Sequence, residues 1–293
     1  MVQIPPREID LLLQASKKDF DVPNSTYFQV SGRELPDPST VDVKGIQDVA
    51  IFPEQQLAVK YGREVTVDEA IAMWTVRKLL VDKLPVPELY GWRIRDRNVL
   101  IYMELIPGVT LERRWDEADF GEVGKAAVCK ELNGMLTLLH QLRQEPSDAF
   151  IGSIPGGPLL DRVFEERPTA GPFRTLEKFY SWMEWLPQRF LQASQRYRDP
   201  FLELMPKDSS IVFTHADVHP RNIMVTASGP PRVLAIIDWG QSGWYPDWWE
   251  HFKMCYTTHY EGDWRMNWIP KIVRDREDER YLMSEYAMTI GAV

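Results

Sequence analysis

The stretch "FTHADVHPRNIMV", residues 213–225, places titratable and amide side chains between two apolar runs. It carries His215, Asp217, His219 and Asn222 within eight positions. Polar residues between two strand-like runs belong either to a surface turn or to a site where chemistry occurs. The residues that follow this stretch favour the second interpretation.

A second strand-like run follows at "VLAII", residues 233–237, after the turn "ASGPPR". If "IMV" (223–225) pairs with this run antiparallel, the residue before the first strand and the residue after the second meet at the same open end. Those residues are Asn222 and Asp238. Together with Asp217 they make a cluster of oxygen ligands, which suit Mg²⁺.

Phosphoryl transfer requires metal ions on the phosphates, a carboxylate for the acceptor hydroxyl and a lysine. Protein kinases supply the first two through the order H-x-D-x-x-x-x-N followed by Asp-aromatic-Gly. The same order is present here in His215-Ala216-Asp217, Asn222 and Asp238-Trp239-Gly240. The competing interpretation of Asp217, a loop carboxylate that caps a turn, does not account for the other members of the set.

The lysine is expected at the end of "LAVK", at Lys60, before the predicted helix "TVDEAIAMWTVRKLLVDK" (66–83). One face of this helix carries residues at steps of four, three and four, namely Glu69, Met73, Val76 and Leu80. A carboxylate on a core-facing stripe is costly unless it is paired, so we expect Glu69 to pair with Lys60. The alternative for Glu69 is an ordinary acid at a helix N-terminus.

The strand "VLIYMEL" (99–105) and the "IPG" after it should supply the backbone that contacts adenine, around Glu104 to Ile106. "IPGVT" (106–110) breaks the strand pattern and is the candidate linker. The chain before it carries strand patterns at "DVAIF" (48–52), "QQLAVKYG" (55–62), "ELYGWRI" (88–94) and "NVLIYMEL" (98–105). The chain after Gly108 is mainly helical until strand patterns return at 211.

Five segments resemble the aminoglycoside phosphotransferase and choline kinase-like family, most closely its fungal branch. They are "FTHADVHPRNIMV", "AIIDWGQSGWYPDWWE", "LAVKYG...EA", "LPVPELYG" and "IYMELIPGVTL". The likeness extends in order from about residue 48 to residue 253. It implies an α+β, two-lobe protein kinase-like fold. The small β-rich N-lobe with one helix would be residues 1–105, and the larger, mainly helical C-lobe with the catalytic β-hairpin would be 106–293.

The resemblance implies ATP- and Mg²⁺-dependent transfer of a phosphoryl group to a hydroxyl of a small molecule. The acceptor would be an amino alcohol, an aminoglycoside-like compound or a secondary metabolite. On this basis Asp217 is the catalytic base, and Asn222 and Asp238 hold metal. Lys60 and Glu69 are the pair on the phosphate side.

The two histidines are given different roles by the resemblance. His215 matches a position that is usually structural and holds the catalytic loop, while His219 would approach the γ-phosphate. A zinc site formed by the two histidines needs a helix, which Pro220 opposes. The sequence therefore favours Asp217 and Asn222 over the histidines as the main reactive residues.

Two features depart from the family pattern. Gly240 stands where the family commonly carries an acidic residue, and a glycine-rich phosphate loop is represented only by Gly45. They leave a second hypothesis, a catalytically inactive pseudokinase that binds a nucleotide or a partner. A protein kinase is excluded because "GWYPDWWE" follows Gly240 almost at once, without an activation segment.

The composition restricts the partners. A net charge of -9 and a pI near 5.2 argue against non-specific binding to nucleic acid or to an anionic membrane. Two cysteines exclude a disulfide framework and fit a reducing compartment. The N-terminal residues lack the pattern of a signal peptide, and no run approaches the ~18 apolar residues of a membrane helix. We expect a cytoplasmic protein that is a monomer or weak homodimer.

The run "GWYPDWWEHF" (243–252) admits two interpretations. Trp244, Trp248 and Trp249 could line a pocket for a cation or a flat ring, with Asp247 and Glu250 adding charge. They could equally be core residues that pack the tail of the chain. The core interpretation is preferred.

Overall fold

A computed structural model describes residues 2–3, 16–41, 47–96, 98–117 and 119–292. The predicted phosphate loop at Gly45 lies outside these residues, as does most of the N-terminal segment. The chain divides into two compact units. The first unit is Ile4–Val128 with Pro220–Gly240, and the second is Met1–Gln3, Cys129–His219 and Gln241–Val293. The predicted lobes, 1–105 and 106–293, divide the chain differently and stay a prediction.

The strands are β1 (Val2–Gln3), β2 (Phe20–Asp21), β3 (Gln47–Phe52), β4 (Leu57–Gly62), β5 (Leu89–Arg95), β6 (Asn98–Glu104), β7 (Val109–Thr110), β8 (Leu142–Arg143), β9 (Ile211–Thr214), β10 (Ile223–Val225), β11 (Val233–Ile236) and β12 (Gly243–Pro246). The α-helices are α1 (Val67–Leu79), α2 (Leu111–Arg114), α3 (Gly121–Leu139), α4 (Leu176–Gln188), α5 (Pro200–Leu204), α6 (Trp249–Tyr256), α7 (Ile269–Ile272) and α8 (Glu277–Thr289). This mixture of helices and antiparallel strands confirms the predicted α+β class.

The first unit is built on a five-stranded antiparallel sheet with the order β2-β5-β6-β4-β3. All six residues of β4 are buried, because it lies between β6 and β3 and carries apolar residues on both faces. Strands β3 to β6 match the predicted strands. The short β2, which pairs Phe20 with Trp92 of β5, was not predicted.

Helix α1 begins after Thr66, whose hydroxyl accepts a hydrogen bond from the Glu69 N–H at 3.3 Å. This cap satisfies one of the unpaired N–H groups at the helix start. The predicted core-facing stripe is confirmed, since all four of its residues are 3% exposed or less, namely Glu69, Met73, Val76 and Leu80. The helix therefore presents one carboxylate from a buried apolar face.

A second sheet of the first unit has the order β11-β10-β7. The predicted hairpin is confirmed, with Ile223 paired to Ile236. Its turn is held by Arg114, which is fully buried and donates to the carbonyl oxygens of Thr226 at 2.6 Å and Gly229 at 2.7 Å. Gly108 is required at the edge of this sheet, because a Cβ there would lie 2.4 Å from the Val225 oxygen.

The second unit is mainly helical. β1 pairs with β8 in parallel, and β9 pairs with β12 antiparallel. Its core is dominated by aromatic side chains from β12 and α6, and Trp244, Trp248 and Trp249 are each 1% exposed or less. The preferred interpretation of these tryptophans as core residues is therefore confirmed.

The longest helix in the described part of the chain is α3, with 19 residues. Its first turn carries Glu122, and Lys125, Lys130 and Glu131 follow within the next turns. None of the described helices is both long enough and apolar enough to cross a bilayer.

Candidate active site

The first unit contains a buried ammonium between two carboxylates. The Nζ of Lys60 donates to Glu69 Oε1 at 2.6 Å and to Asp238 Oδ1 at 2.8 Å. The side chains of Lys60 and Glu69 are 6% and 2% exposed, and that of Asp238 is 28% exposed. The predicted pairing of Lys60 with Glu69 is confirmed, and Asp238 is a second partner that the sequence did not predict.

These carboxylates keep the lysine charged. Burial by itself lowers the pKa of Lys60, but Glu69 and Asp238 outweigh burial and hold the pKa above its ordinary value. The charge of Glu69 raises the pKa of Lys60 more than the charge of Asp238 does. The ammonium is therefore a fixed positive charge across the neutral pH range, as required of a group that binds phosphate.

The hairpin brings Asn222 and Asp238 to the same end, as predicted. The Ile237 N–H donates to the Asn222 carbonyl oxygen at 2.9 Å, which continues the pairing by one residue beyond the strands. Asp238 has a φ of 63°, in the left-handed region that non-glycine residues seldom adopt. Backbone strain of this kind tends to persist at functional sites, where the surrounding structure holds it in place.

An apolar pocket of about 240 Å³ lies in the first unit beside Lys60. It is lined by residues from β3, β4, the end of β6 and the hairpin, including Ile51, Ala58, Met103, Ile106, Asn222 and Asp238. Its volume is below the roughly 300–1,000 Å³ of pockets for drug-sized ligands, so it has room for part of a nucleotide such as its base.

The backbone predicted to contact adenine lines this pocket at Glu104, Leu105 and Ile106. The Glu104 N–H is bonded to Glu88 and the Leu105 N–H to Gln56, at 2.9 and 3.0 Å. Within the described parts of the chain, the Ile106 N–H has no such partner. It is therefore the backbone donor of this segment that is available to a bound base.

The structure gives a physical reason why position 240 is a glycine and not an acidic residue. A Cβ at this position would lie 3.3 Å from Glu69 Oε2 and 3.5 Å from Asp238 Oδ1. An acidic side chain would bring a third carboxylate to a place where Lys60 already compensates two. Glycine therefore avoids like-charge repulsion beside the lysine.

The loop that contains Asp217 belongs to the second unit and is held by its own side chains. His215 is fully buried, and its Nδ1 accepts a hydrogen bond from the Asp217 N–H at 3.1 Å. The His219 N–H donates to the Asp217 carbonyl at 2.8 Å, and Ala216 has a φ of 62°. These contacts support the structural role expected for His215. The Asp217 and His219 side chains are partly exposed.

Sequence reasoning did not identify the residue that anchors this loop. Glu250, at the start of α6, is 1% exposed and accepts hydrogen bonds from the N–H groups of His215 at 2.8 Å and Ala216 at 3.0 Å. Two backbone donors satisfy one buried carboxylate, which fixes the strained turn before Asp217. The available signal was an acid within a tryptophan-rich run, because a buried acid requires a partner.

We predict that Glu250→Gln destabilises the protein by about 1–3 kcal/mol, because an amide has one acceptor oxygen where the carboxylate has two. One of the two loop N–H groups then loses its acceptor. The matched control is Glu177→Gln, an exposed glutamate in the first turn of α4, which should change stability by less than about 0.5 kcal/mol. Urea unfolding measures both changes, and equal effects would refute the anchoring role.

These features define an α+β protein with a buried lysine–carboxylate cluster at the wall of an apolar pocket. The chain belongs to the phosphotransferase enzyme family, whose model matches residues 51–286. This membership and the five-stranded antiparallel sheet confirm the predicted protein kinase-like fold. The predicted likeness to the fungal branch stays a prediction. A comparison with curated proteins found no match.

Several solved structures resemble the chain. One is aminoglycoside phosphotransferase APH(4)-Ia, with 16% identity over 80% of this chain and 76% of that chain and a TM-score of 0.47. Another is a thermostable mutant of that enzyme in ternary complex with AMP-PNP and hygromycin B, with 16% identity, 80% and 77% coverage and a TM-score of 0.48. A third is aminoglycoside-3'-phosphotransferase of type VIII, with 16% identity, 80% and 83% coverage and a TM-score of 0.47.

Proposed function

We propose that this chain is a small-molecule kinase that transfers the γ-phosphoryl group of ATP to a hydroxyl, with Mg²⁺ as the metal. The observation that carries the proposal is the Lys60 ammonium, held between Glu69 and Asp238 at the wall of an apolar pocket. A charged, desolvated lysine beside a base-sized pocket matches what a nucleoside triphosphate presents, an apolar base next to phosphates.

The pocket and the lysine assign parts of the nucleotide to particular residues. Ala58 and Lys60 are two positions apart on β4 and therefore face the same side of the sheet. The adenine base would lie against Ala58 and accept a hydrogen bond from the Ile106 N–H. Lys60 would then contact the α- and β-phosphates, held in place by Glu69.

The residues at the end of the hairpin fit a magnesium ion. Asn222 and Asp238 offer an amide oxygen and a carboxylate, both of them hard oxygen ligands of the kind that Mg²⁺ prefers. Both residues line the pocket, so they would hold the ion on the phosphate side of the nucleotide. The bound ion would neutralise charge on the transferring phosphoryl group.

Asp217 is the proposed catalytic base. Its carboxylate would orient the acceptor hydroxyl and receive its proton as the acceptor oxygen bonds to the γ-phosphorus and the bond to the ADP oxygen breaks. His215 is a positioning residue that bonds to the Asp217 N–H. His219 would approach the γ-phosphate.

The acceptor class follows from charge more than from a defined pocket. A chain with a net charge of -9 suits a cationic acceptor, such as an amino alcohol or an aminoglycoside-like compound. A secondary metabolite with a free hydroxyl is the other acceptor class in the proposal. The cytoplasmic location and the monomeric or weakly dimeric state belong to the same proposal.

Nucleotide binding is tested by filling the pocket. We predict that Ala58→Leu costs about 1–3 kcal/mol of binding free energy, roughly 5- to 150-fold in the Kd of AMP-PNP with Mg²⁺. Isothermal titration calorimetry measures this change. The control is Ile51→Leu, which keeps the volume of the pocket wall and should leave Kd within a few-fold. Equal Kd values for wild type and Ala58→Leu would place the nucleotide elsewhere.

Activity is tested with Mg·ATP and a panel of amino alcohols, aminoglycosides and other alcohols, following ADP release. At least one acceptor should raise the rate of ADP release, and mass spectrometry should find that acceptor carrying one added phosphoryl group. If AMP-PNP fails to bind and no acceptor raises ADP release, the inactive pseudokinase hypothesis replaces the kinase.

A further inference from the structure

A histidine, a cysteine and a glutamate lie close together in the second unit, and none of them has a part in the proposed kinase chemistry. His251 and Cys255 are four positions apart on α6 and therefore lie on one face of that helix. Glu277 is the first residue of α8. One ligand atom from each of these three residues lies within 4.8 Å of the others.

His251 is buried, and its ring contacts the backbone of Arg276 and the side chains of Cys255 and Glu277. Its side chain is 3% exposed, and Nδ1 has no hydrogen-bond partner among the described residues. Nε2 lies 3.8 Å from the Cys255 sulfur and 3.9 Å from Glu277 Oε1. The first contact is a weak sulfur interaction, and the second is beyond hydrogen-bond range. Nε2 is therefore the ring nitrogen that faces a thiol and a carboxylate, and it has no strong bond to either.

The distances favour an ion that is bound by all three residues. Zinc bonds of about 2.3 Å to sulfur and about 2.0–2.1 Å to nitrogen and oxygen give tetrahedral ligand separations of roughly 3.6 Å for S···N and roughly 3.4 Å for N···O. The observed separations are 3.8 and 3.9 Å. Shifts of a few tenths of an ångström would bring these two pairs of atoms to the separations of a zinc site, and the sulfur lies within 4.8 Å of the carboxylate oxygen.

The Glu277 carboxylate is oriented by a second contact. Glu277 presents Oε1 to His251, while its Oε2 accepts a hydrogen bond from Arg280 at 2.7 Å. A carboxylate that is oriented by a second hydrogen bond is the usual form of a fixed metal ligand. The Glu277 side chain is 54% exposed, so it also provides a route for an ion from solvent.

We propose that His251, Cys255 and Glu277 bind a Zn²⁺-type transition-metal ion, with water as the fourth ligand. A mixed nitrogen, sulfur and oxygen ligand set selects such an ion over Mg²⁺ and Ca²⁺, which prefer oxygen alone. The ion connects α6 to the N-terminus of α8. Its three ligands differ from the residues proposed to hold Mg²⁺.

The test uses tag-free, full-length protein that has been stripped with a chelator. Added Co²⁺ should give one equivalent of binding, the visible absorption of tetrahedral cobalt and a thiolate-to-cobalt charge-transfer band. Zn²⁺ should abolish both bands by competition and raise the Tm. Absence of the charge-transfer band in the wild-type protein would overturn the proposal.

Two variants and two controls locate the ion. Cys255→Ser should lose the charge-transfer band, whereas Cys129→Ser, at the other buried cysteine, should keep it. Glu277→Gln, on the surface and compatible with folding, should weaken Zn²⁺ binding by about 10–100-fold or more. The exposed neighbour Asp278→Asn should leave it unchanged. Equal Zn²⁺ affinity in the wild type and Glu277→Gln would refute the site even if Cys255→Ser fails to fold.

Discussion

Replacing Asp217 with asparagine is expected to lower kcat by about 10²–10⁴-fold, the usual contribution of a positioned general base. Asparagine has nearly the same shape but cannot accept the proton of the acceptor hydroxyl. The loop should survive the change, because the bonds to His215 and His219 are made by the backbone of residue 217. Tm and the Kd of AMP-PNP should therefore stay close to those of the wild type.

The measurement is acceptor-dependent ADP release, with the acceptor found in the panel. The control is Asp208→Asn, an exposed carboxylate nine positions earlier, which should retain wild-type kcat. If Asp217→Asn keeps kcat within a few-fold of the wild type, another group removes the proton and the role of Asp217 is wrong.

The largest effect on stability is expected for Lys253→Met, at about 3–5 kcal/mol. Lys253 Nζ donates to Asp161 Oδ1 at 2.7 Å and to Gln241 Oε1 at 2.9 Å. The side chains of Lys253 and Asp161 are 1% and 0% exposed. Removing the ammonium leaves a buried carboxylate without its counter-ion, and the bonds to Asp161 from Trp249 Nε1 and the Val163 N–H compensate only in part.

Urea unfolding measures the stability of Lys253→Met, which is compared with that of two other variants. Arg174→Met breaks an ion pair with Asp148 whose side chains are 58% and 80% exposed, and should cost less than about 1 kcal/mol. The double variant Lys253→Met with Asp161→Asn removes both charges and should be more stable than Lys253→Met alone. If Lys253→Met is no less stable than the control Arg174→Met, the prediction is wrong.

The features predicted correctly from the sequence are local or periodic. The strands from β3 to β6 and the hairpin were visible as alternating or apolar runs, and α1 as a stripe at helical spacing. The pairing of Lys60 with Glu69 followed from one physical rule, that a carboxylate on a core-facing stripe needs a cation. The placement of Asn222 and Asp238 at the same open end of the hairpin followed from antiparallel pairing across a short turn.

The features that were missed depend on contacts between distant parts of the chain. Lys60 and Asp238 are 178 positions apart, Lys253 and Asp161 are 92 apart, and Glu250 is 35 from His215. Each partner is an ordinary polar residue in its own segment, so periodicity does not distinguish it. The two-residue strand β2 was missed because two residues are too short for a pattern.

The sequence by itself determined the α+β class, the family, the hairpin and the identity of the residues proposed for chemistry. Short-range spacing and turn chemistry suffice for these, since the residues involved are close in the chain. Only the tertiary structure decided which buried charges compensate one another, that the three tryptophans are core, and that His251, Cys255 and Glu277 come together. A buried polar group is stable only beside a partner, and here most of those partners come from distant segments of the chain.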